Sequence, residues 1–177
     1  NISSWTTVAL WQYDAESPSQ PSSVTGGATW QRLSNAPTFG WSVSYDTGGA
    51  GIARYEIYWG DDPNAITATA STVSASFAPS AQPSGTSLYF RVRAQDRAGN
   101  VSTWTTAALW QYDSIAPGLS FNPNWTPSTW YSASVTLDAS GNDSQSGMDA
   151  IILDGQTFLG DSASKTISRG SSGVYTI

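Results

Sequence analysis

One stretch of 18 residues occurs twice in this chain, 99 residues apart, and it limits what the chain can fold into. Residues 1–18 read NISSWTTVALWQYDAESP and residues 100–117 read NVSTWTTAALWQYDSIAP, so 12 of 18 positions are identical. A period of about a hundred residues is the size of one β-sandwich domain. The repeated stretch is therefore predicted to be the last strand of such a domain, followed by its exit linker.

The composition excludes several classes of function. The formal charge is −6 with only 7 basic residues, so no basic stripe is available for nucleic acid, and no nucleic-acid partner is expected. Histidine and cysteine are absent, so no serine has an imidazole to act as its base, and we expect no catalytic residue and no enzyme activity. The adjacent Asp61 and Asp62 lie in a GDDPN turn, where aspartate binds local backbone amides. No apolar run approaches the ~18 residues of a membrane span.

Short alternating segments separated by Gly, Pro, Asn and Asp predict β-strands, and no helical period is sustained. The clearest strand is 88–94, which alternates apolar Leu88, Phe90 and Val92 with polar positions. Strands are also predicted at 40–45 and 53–59. The expected core of this region is Trp41, Val43, Tyr45, Tyr55, Ile57, Phe77, Leu88, Phe90 and Val92.

The segment GTSLYFRVRAQDRAGNVSTW (85–104), together with GIARYEIYW (51–59), resembles the fibronectin type III modules of bacterial secreted and surface proteins. Leu88 stands where many such modules have a tyrosine that ties back to the backbone. After it, DSIAP (113–117) resembles the D-x-x-A-P linker between bacterial Ig-like modules. Residues 130–138 and 147–155 are similar to the opening strands of a further Ig-like module.

This resemblance implies an all-β chain of tandem Ig-like/fibronectin-III-like β-sandwiches, in which the second sandwich lacks its last strand. The expected parts are an orphan closing strand and linker (1–17), a fibronectin-III-like sandwich (18–117) and an incomplete Ig-like sandwich (118–177). An open sandwich recruits a strand, so residues 1–13 are predicted to complete the neighbouring subunit. Repetition of that head-to-tail contact would build an extracellular surface filament, a homopolymer of this chain. The predicted subunit interface consists of Trp5, Val8, Leu10, Trp11, Val174, Tyr175 and Ile177.

A second interpretation stays open beside the filament. The same ends fit a stalk or spacer fragment of a long multi-module bacterial adhesin, or of a secreted carbohydrate-active enzyme. The first possibility requires a natural subunit near 18.7 kDa, whereas the second requires a far longer chain.

Loops rich in Asp, Asn and Ser predict calcium as a cofactor, because this cation takes oxygen ligands. The expected ligands are Asp138, Asn142, Asp143 and Asp149, and a second possible pair is Asp96 with Asp113.

Two kinds of carbohydrate contact are also considered. Trp30, Trp125 and Trp130 lie outside the predicted core of the first sandwich and outside the two repeated stretches, so they are the candidates for stacking on a glycan ligand. Four N-x-[S/T] sequons predict glycosylation at Asn1, Asn100, Asn124 and Asn142.

Overall fold

The computed structural model describes residues 3–4, 10–122, 132–153 and 155–167. These residues form strands and connecting loops, so the all-β prediction is confirmed. Within the same ranges, no helix is long and apolar enough to cross a membrane. The chain divides into two compact units, Asn1–Tyr112 and Asp113–Ile177. The second unit begins at Asp113, whose carboxylate accepts the Ser146 N–H. The division into 1–17, 18–117 and 118–177 stays a prediction.

The first unit is a two-layer β-sandwich. Its strands are β1 (Ser22–Thr25), β2 (Ala28–Gln31), β3 (Phe39–Ser42), β4 (Ile52–Gly60), β5 (Ala70–Thr72), β6 (Ser76–Phe77), β7 (Thr86–Asp96) and β8 (Ala108–Tyr112). One sheet has the order β1-β3-β6 and the other β2-β8-β7-β4-β5. The antiparallel pairs β4–β7 and β7–β8 form the centre of the larger sheet, and β2 joins its edge in parallel to β8.

Aromatic rings join the two sheets. Phe39 of β3 lies on Phe90 of β7 with ring centroids 4.1 Å apart, and Trp41 meets the edge of Tyr55 at 5.3 Å. Trp110 of β8 is fully buried and contacts Trp59 at 5.7 Å. The buried cluster consists of Phe39, Trp41, Tyr55, Ile57, Phe90, Val92, Ala94 and Trp110. The second copy of the repeated stretch therefore supplies β8, the closing strand of this sandwich, as the sequence predicts.

A glycine at the end of β1 lets one segment serve both sheets. Gly26 has φ +96°, and a Cβ there would overlap the Thr38 carbonyl. The chain bends at this point, so that β1 pairs with β3 while β2 pairs with β8. A side chain at this position would be strained both by its φ angle and by the close backbone approach.

Two expected core residues are exposed. The alternation predicted strand 40–45, but β3 ends at Ser42, and Val43 and Tyr45 are 74% and 70% exposed. The reason is that Tyr45 pairs with the linker instead of a strand. Its N–H donates to the Ser19 hydroxyl and its carbonyl accepts from the Ser19 N–H, each at 2.9 Å.

The link from β7 to β8 is irregular. After the turn that follows Asp96, the hydroxyl of Ser102 accepts the Ala94 N–H at 2.9 Å, and the hydroxyl of Thr105 accepts the Val92 N–H at 3.0 Å. Both Ser102 and Thr105 are buried. Side-chain oxygens thus continue the pairing of β7 before the backbone of β8 takes over.

The second unit also has two layers. Its strands are β9 (Gly118–Phe121), β10 (Val135–Asn142), β11 (Ala150–Leu153), β12 (Gln156–Leu159) and β13 (Ser162–Ile167). The sheet β13-β10-β9 packs on the hairpin β11-β12 through Leu137, Ala139, Ile151, Leu153 and Ala163. The predicted open edge at Val174, Tyr175 and Ile177 lies outside the described residues.

Candidate functional site

The adjacent acids Asp61 and Asp62 serve a turn. Both are exposed after the end of β4, and the Asp62 carboxylate accepts the Asn64 N–H at 2.8 Å. The Asp62 N–H in turn donates to the Tyr58 hydroxyl at 2.8 Å. This is the turn role that the sequence predicted for these residues.

Three aspartates from separate stretches converge in the first unit. Asp14 comes from the linker, Asp46 from the loop between β3 and β4, and Asp96 from the end of β7. One carboxylate oxygen of each lies within 4.8 Å of the others. Across the described part of the chain, this is the site where three acidic side chains meet, and we call it the carboxylate cluster.

Asp14 fixes the linker to the loop between β3 and β4. One carboxylate oxygen accepts the Glu16 N–H at 2.9 Å, inside the linker, and the other accepts the Ala50 N–H at 2.9 Å. Gly48 leaves room for this contact, because a Cβ there would overlap the Asp14 carboxylate. The linker thus lies against the sandwich that follows it.

Asp46 shapes the loop that receives Asp14. Its two oxygens accept the N–H groups of Gly48 at 3.1 Å and Gly51 at 2.7 Å. The sequence predicted a turn at these residues, but it contained no sign that Asp14 approaches them. The one available signal was that a linker aspartate recurs in both copies of the repeat.

Asp96 is the buried member of the cluster. Its carboxylate accepts the backbone N–H and the side-chain amide of Asn100, each at 2.8 Å, and the same amide donates to the Asp14 carbonyl at 3.2 Å. Burial would raise the pKa of Asp96. Hydrogen bonds from the Asn100 side chain and from the backbone of Asn100, Gly99 and Ala98 outweigh this effect and hold the pKa below its ordinary value.

The cluster is therefore a set of oxygens that bind backbone and amide N–H groups. Carboxylates are ligands that calcium accepts, and these three would supply part of the 6–8 oxygens that the ion takes. The hydrogen bonds already account for the position of each carboxylate. These hydrogen bonds attach the linker to two loops of the sandwich, through Ala50 and Asn100.

The residues predicted to bind calcium occupy other places. Asp138 accepts the Ser164 hydroxyl at 2.6 Å and the Asn122 amide at 3.2 Å, across the strands of its sheet. Asp143 binds N–H groups of its own turn, and Asp149 is exposed. Asp138, Asp143 and Asp149 are all described, and their carboxylates do not form a close group of three.

The second predicted pair is divided between the two units. Asp96 belongs to the carboxylate cluster of the first unit, and Asp113 is buried in the second. The residue that joins Asp96 is Asp14, the repeat equivalent of Asp113. Calcium binding by the predicted residues stays a prediction.

A charged array covers one face of the larger sheet in the first unit. Glu56 pairs with Arg93 at 2.7 Å and with Arg54 at 3.2 Å, and the Arg93 guanidinium lies 4.7 Å from the Trp104 ring. Burial would raise the pKa of Glu56, but the hydrogen bonds from Arg93 and Arg54 and their charges hold it below its ordinary value. Arg91 donates to the carbonyls of Thr105 and Ala65, each at 2.9 Å, so the array also supports the irregular segment before β8.

The first copy of the repeat differs sharply in burial from the second. Leu10 and Trp11 are 79% and 82% exposed, whereas Trp110, the counterpart of Trp11, is buried completely. The local geometry is nevertheless shared, because Trp11 and Tyr13 lie 5.9 Å apart at 10°, and Trp110 and Tyr112 lie 5.9 Å apart at 9°. Trp5 and Val8 of the predicted interface lie outside the described residues.

The predicted carbohydrate contacts are only partly described. Trp30 lies in β2 and is 36% exposed, while Trp125 and Trp130 are outside the described residues. Of the sequons, Asn142 is exposed at the end of β10, and Asn1 and Asn124 are outside the described residues. At Asn100 the side-chain amide already donates to Asp14 and Asp96, so a glycan on its nitrogen would displace one of these bonds.

The chain is similar in sequence to part of a bacterial enzyme, and the solved structures that align with it include a chitinase and a fibronectin-III array. No family model matches the chain. A segment of 95 residues is 37% identical to Exoglucanase B of the bacterium Cellulomonas fimi, and it covers 53% of this chain but 8% of that enzyme. A chitinase from Bacillus thuringiensis aligns with 24% identity and a TM-score of 0.47, over 73% of this chain and 18% of its own. The central fibronectin-III array of RIM-binding protein aligns with 12% identity and a TM-score of 0.40, over 85% and 57%.

The two sheets of the first unit agree with the fibronectin type III resemblance of the sequence, and the exoglucanase match shows that a segment of the chain is similar to a part of that bacterial enzyme. The chain spans only a small fraction of the length of that enzyme.

Proposed function

We propose that this chain is a spacer made of non-catalytic β-sandwich modules within a secreted carbohydrate-active enzyme. The exoglucanase match carries the proposal, because a segment that fills 8% of a long enzyme has the size of an appended module. Glycoside hydrolysis ordinarily uses a pair of carboxylates. Asp62 is engaged in a turn, and the three carboxylates of the cluster, those of Asp14, Asp46 and Asp96, accept hydrogen bonds from backbone and amide N–H groups. An extracellular location follows from the same proposal, since polymeric polysaccharides are met outside the cell.

The first experiment is to incubate the purified chain with cellulose and with chitin, and to measure released reducing sugar and bound protein. The proposal predicts no release from either polymer. Hydrolysis that survives repurification would overturn it. Retention on a polymer that is lost in Trp30→Ala, but kept in Tyr45→Ala as an exposed aromatic control, would make the chain a binding module instead of a spacer.

The exposed segment Leu10–Tyr13 is assigned a role by the repeat. Its counterpart in β8 closes a sandwich with Trp110 at full burial, so we propose that Trp11 closes another sandwich in the same way. If the chain is a spacer, the sandwich that Trp11 closes is another module of the same polypeptide. The support for this is the similarity of the two repeat copies.

The filament prediction assigns the same segment to a second copy of the chain. Nothing in the described ranges favours that partner, because the acceptor edge at Val174, Tyr175 and Ile177 is outside them. Light scattering after size-exclusion chromatography separates the two ideas. The spacer predicts a monomer of 18.7 kDa at micromolar concentration, whereas growing head-to-tail oligomers that Trp11→Asp dissolves would favour the filament.

A further inference from the structure

The contact that fixes the linker to the first unit occurs again in the second. Asp113 stands 99 residues after Asp14. One of its oxygens accepts the Ile115 N–H at 2.8 Å, just as Asp14 accepts the N–H two residues ahead of it. The other accepts the Ser146 N–H at 3.1 Å, in the position that Ala50 has for Asp14.

The receiving loops are also built alike, although their sequences differ. In DTGGA the Asp46 carboxylate accepts the N–H of Gly48, and in DSQS the Asp143 carboxylate accepts the N–H of Gln145, in each case two residues ahead. Two loops of different length and composition thus present a backbone N–H to a linker carboxylate. Because the arrangement appears in both units, it does not depend on the sequence of one loop.

We infer that Asp14 and Asp113 are equivalent linker clasps, which make each linker a folded part of the module that comes after it. This rests on the proposed spacer function and adds to it the means by which the linker is held. Hydrogen bonds from N–H groups to a carboxylate are among the stronger ones in proteins. Asp113 is moreover buried, which protects its bonds from competition with water.

The consequence concerns how the spacer behaves. Ser- and Pro-containing linkers such as DAESPSQP would ordinarily be semi-flexible tethers. With the clasp closed, the residues from the aspartate onward move with the following module. In the first unit Asn100 adds a third attachment, since its amide donates to the Asp14 carbonyl at 3.2 Å.

The test is ¹⁵N relaxation and amide exchange on the whole chain and on Asp113→Ala, with Asp149→Ala as a control that removes an exposed carboxylate of the same unit. In the unmodified chain and in the control, the Ile115 order parameter is expected near the ~0.85 of a rigid backbone, and in Asp113→Ala below about 0.6. Exchange of the Ile115 N–H, which donates to Asp113 at 2.8 Å, is expected to accelerate about tenfold or more, since a bond to a charged acceptor is lost. Exchange of the Ser146 N–H is expected to accelerate less, because that group also donates to the Asp143 carboxylate at 3.2 Å. Signals of Ala139 and Leu153 report whether the second unit is still folded.

A second variant breaks the clasp without removing a charge, so that an effect of the contact can be told from an effect of lost charge. Gly48→Ala retains every carboxylate but places a methyl group where the Asp14 carboxylate lies, and it is expected to mobilise Glu16 in the first unit. A flexible Ile115 in the unmodified chain, or unchanged relaxation of Ile115 and Glu16 in the two variants, would overturn the inference. Neither result bears on whether the chain is catalytic or polymeric, so the spacer proposal fails or stands on its own experiments.

Discussion

The two copies of the repeat contain a matched pair of tryptophans, and replacing each with alanine measures what β8 contributes. Trp110 is fully buried between the sheets, and its ring contacts Trp59 at 5.7 Å and Tyr112 at 5.9 Å. A buried tryptophan removes roughly 150–250 Å² from water, which at about 25 cal/mol per Å² corresponds to about 4–6 kcal/mol.

One term reduces that figure. The indole N–H of Trp110 is buried without a hydrogen-bond partner, so its removal recovers about 1–3 kcal/mol. The net loss expected for Trp110→Ala is therefore about 1–5 kcal/mol, a range that includes the ~3–5 kcal/mol usual for large aromatic-to-alanine changes. Trp11→Ala, with the same neighbours in sequence but an exposed ring, is expected to change the free energy of unfolding by less than about 0.5 kcal/mol.

Urea denaturation followed by the NMR amide signals of Ile57 and Val92 reports on the first unit alone. The free energy of unfolding is expected to fall for Trp110→Ala and to stay unchanged for Trp11→Ala. Equal effects of the two substitutions, or a loss below about 1 kcal/mol for Trp110→Ala, would refute the assignment of β8 as the closing strand.

Further predictions concern a buried hydroxyl, an ion pair and the predicted calcium loop. Thr105→Val leaves the buried Val92 N–H without its acceptor and is expected to cost about 1–3 kcal/mol in urea denaturation, whereas Thr105→Ser, which retains the hydroxyl, costs less; equal losses would contradict this role. Because the folded-state pKa of Glu56 lies below its ordinary 4.5, the stability it contributes is present above that pH and is lost as pH falls through the lower pKa. Glu56→Gln is therefore expected to flatten the acid side of a plot of melting temperature against pH; a curve identical to that of the unmodified chain would argue against the ion pair. The predicted calcium loop is checked by melting in Ca²⁺ and in EGTA: binding raises the melting temperature and Asp149→Asn removes the rise, while equal temperatures contradict the site.

Local alternation predicted the strands that lie in the middle of the sheet. In β7, Phe90, Val92 and Ala94 face the core, as the period of two requires. The alternation predicted too long a strand at β3, because apolar and polar residues go on alternating in the sequence after the strand ends at Ser42. Only the fold shows that Tyr45 binds Ser19 of the linker and turns its side chain to solvent.

The carboxylate cluster illustrates what a sequence alone conceals. An aspartate in a glycine-rich turn is expected to cap its own backbone, and Asp46 does so. That Asp14 and Asp96 reach the same place depends on how the linker, the loop after β3 and the end of β7 are packed. The 99-residue repeat identified Asp14 and Asp113 as equivalent, but their acceptor role needed the loops that they contact.

The central claim, that these modules belong to a longer secreted enzyme, is tested most directly by the mass of the natural polypeptide that contains this sequence. An antibody raised against the purified chain would capture that polypeptide from the culture medium for intact-mass spectrometry. The spacer account predicts a mass several times 18.7 kDa, with polysaccharide hydrolysis in the captured material. A natural subunit of about 18.7 kDa without such activity would contradict it.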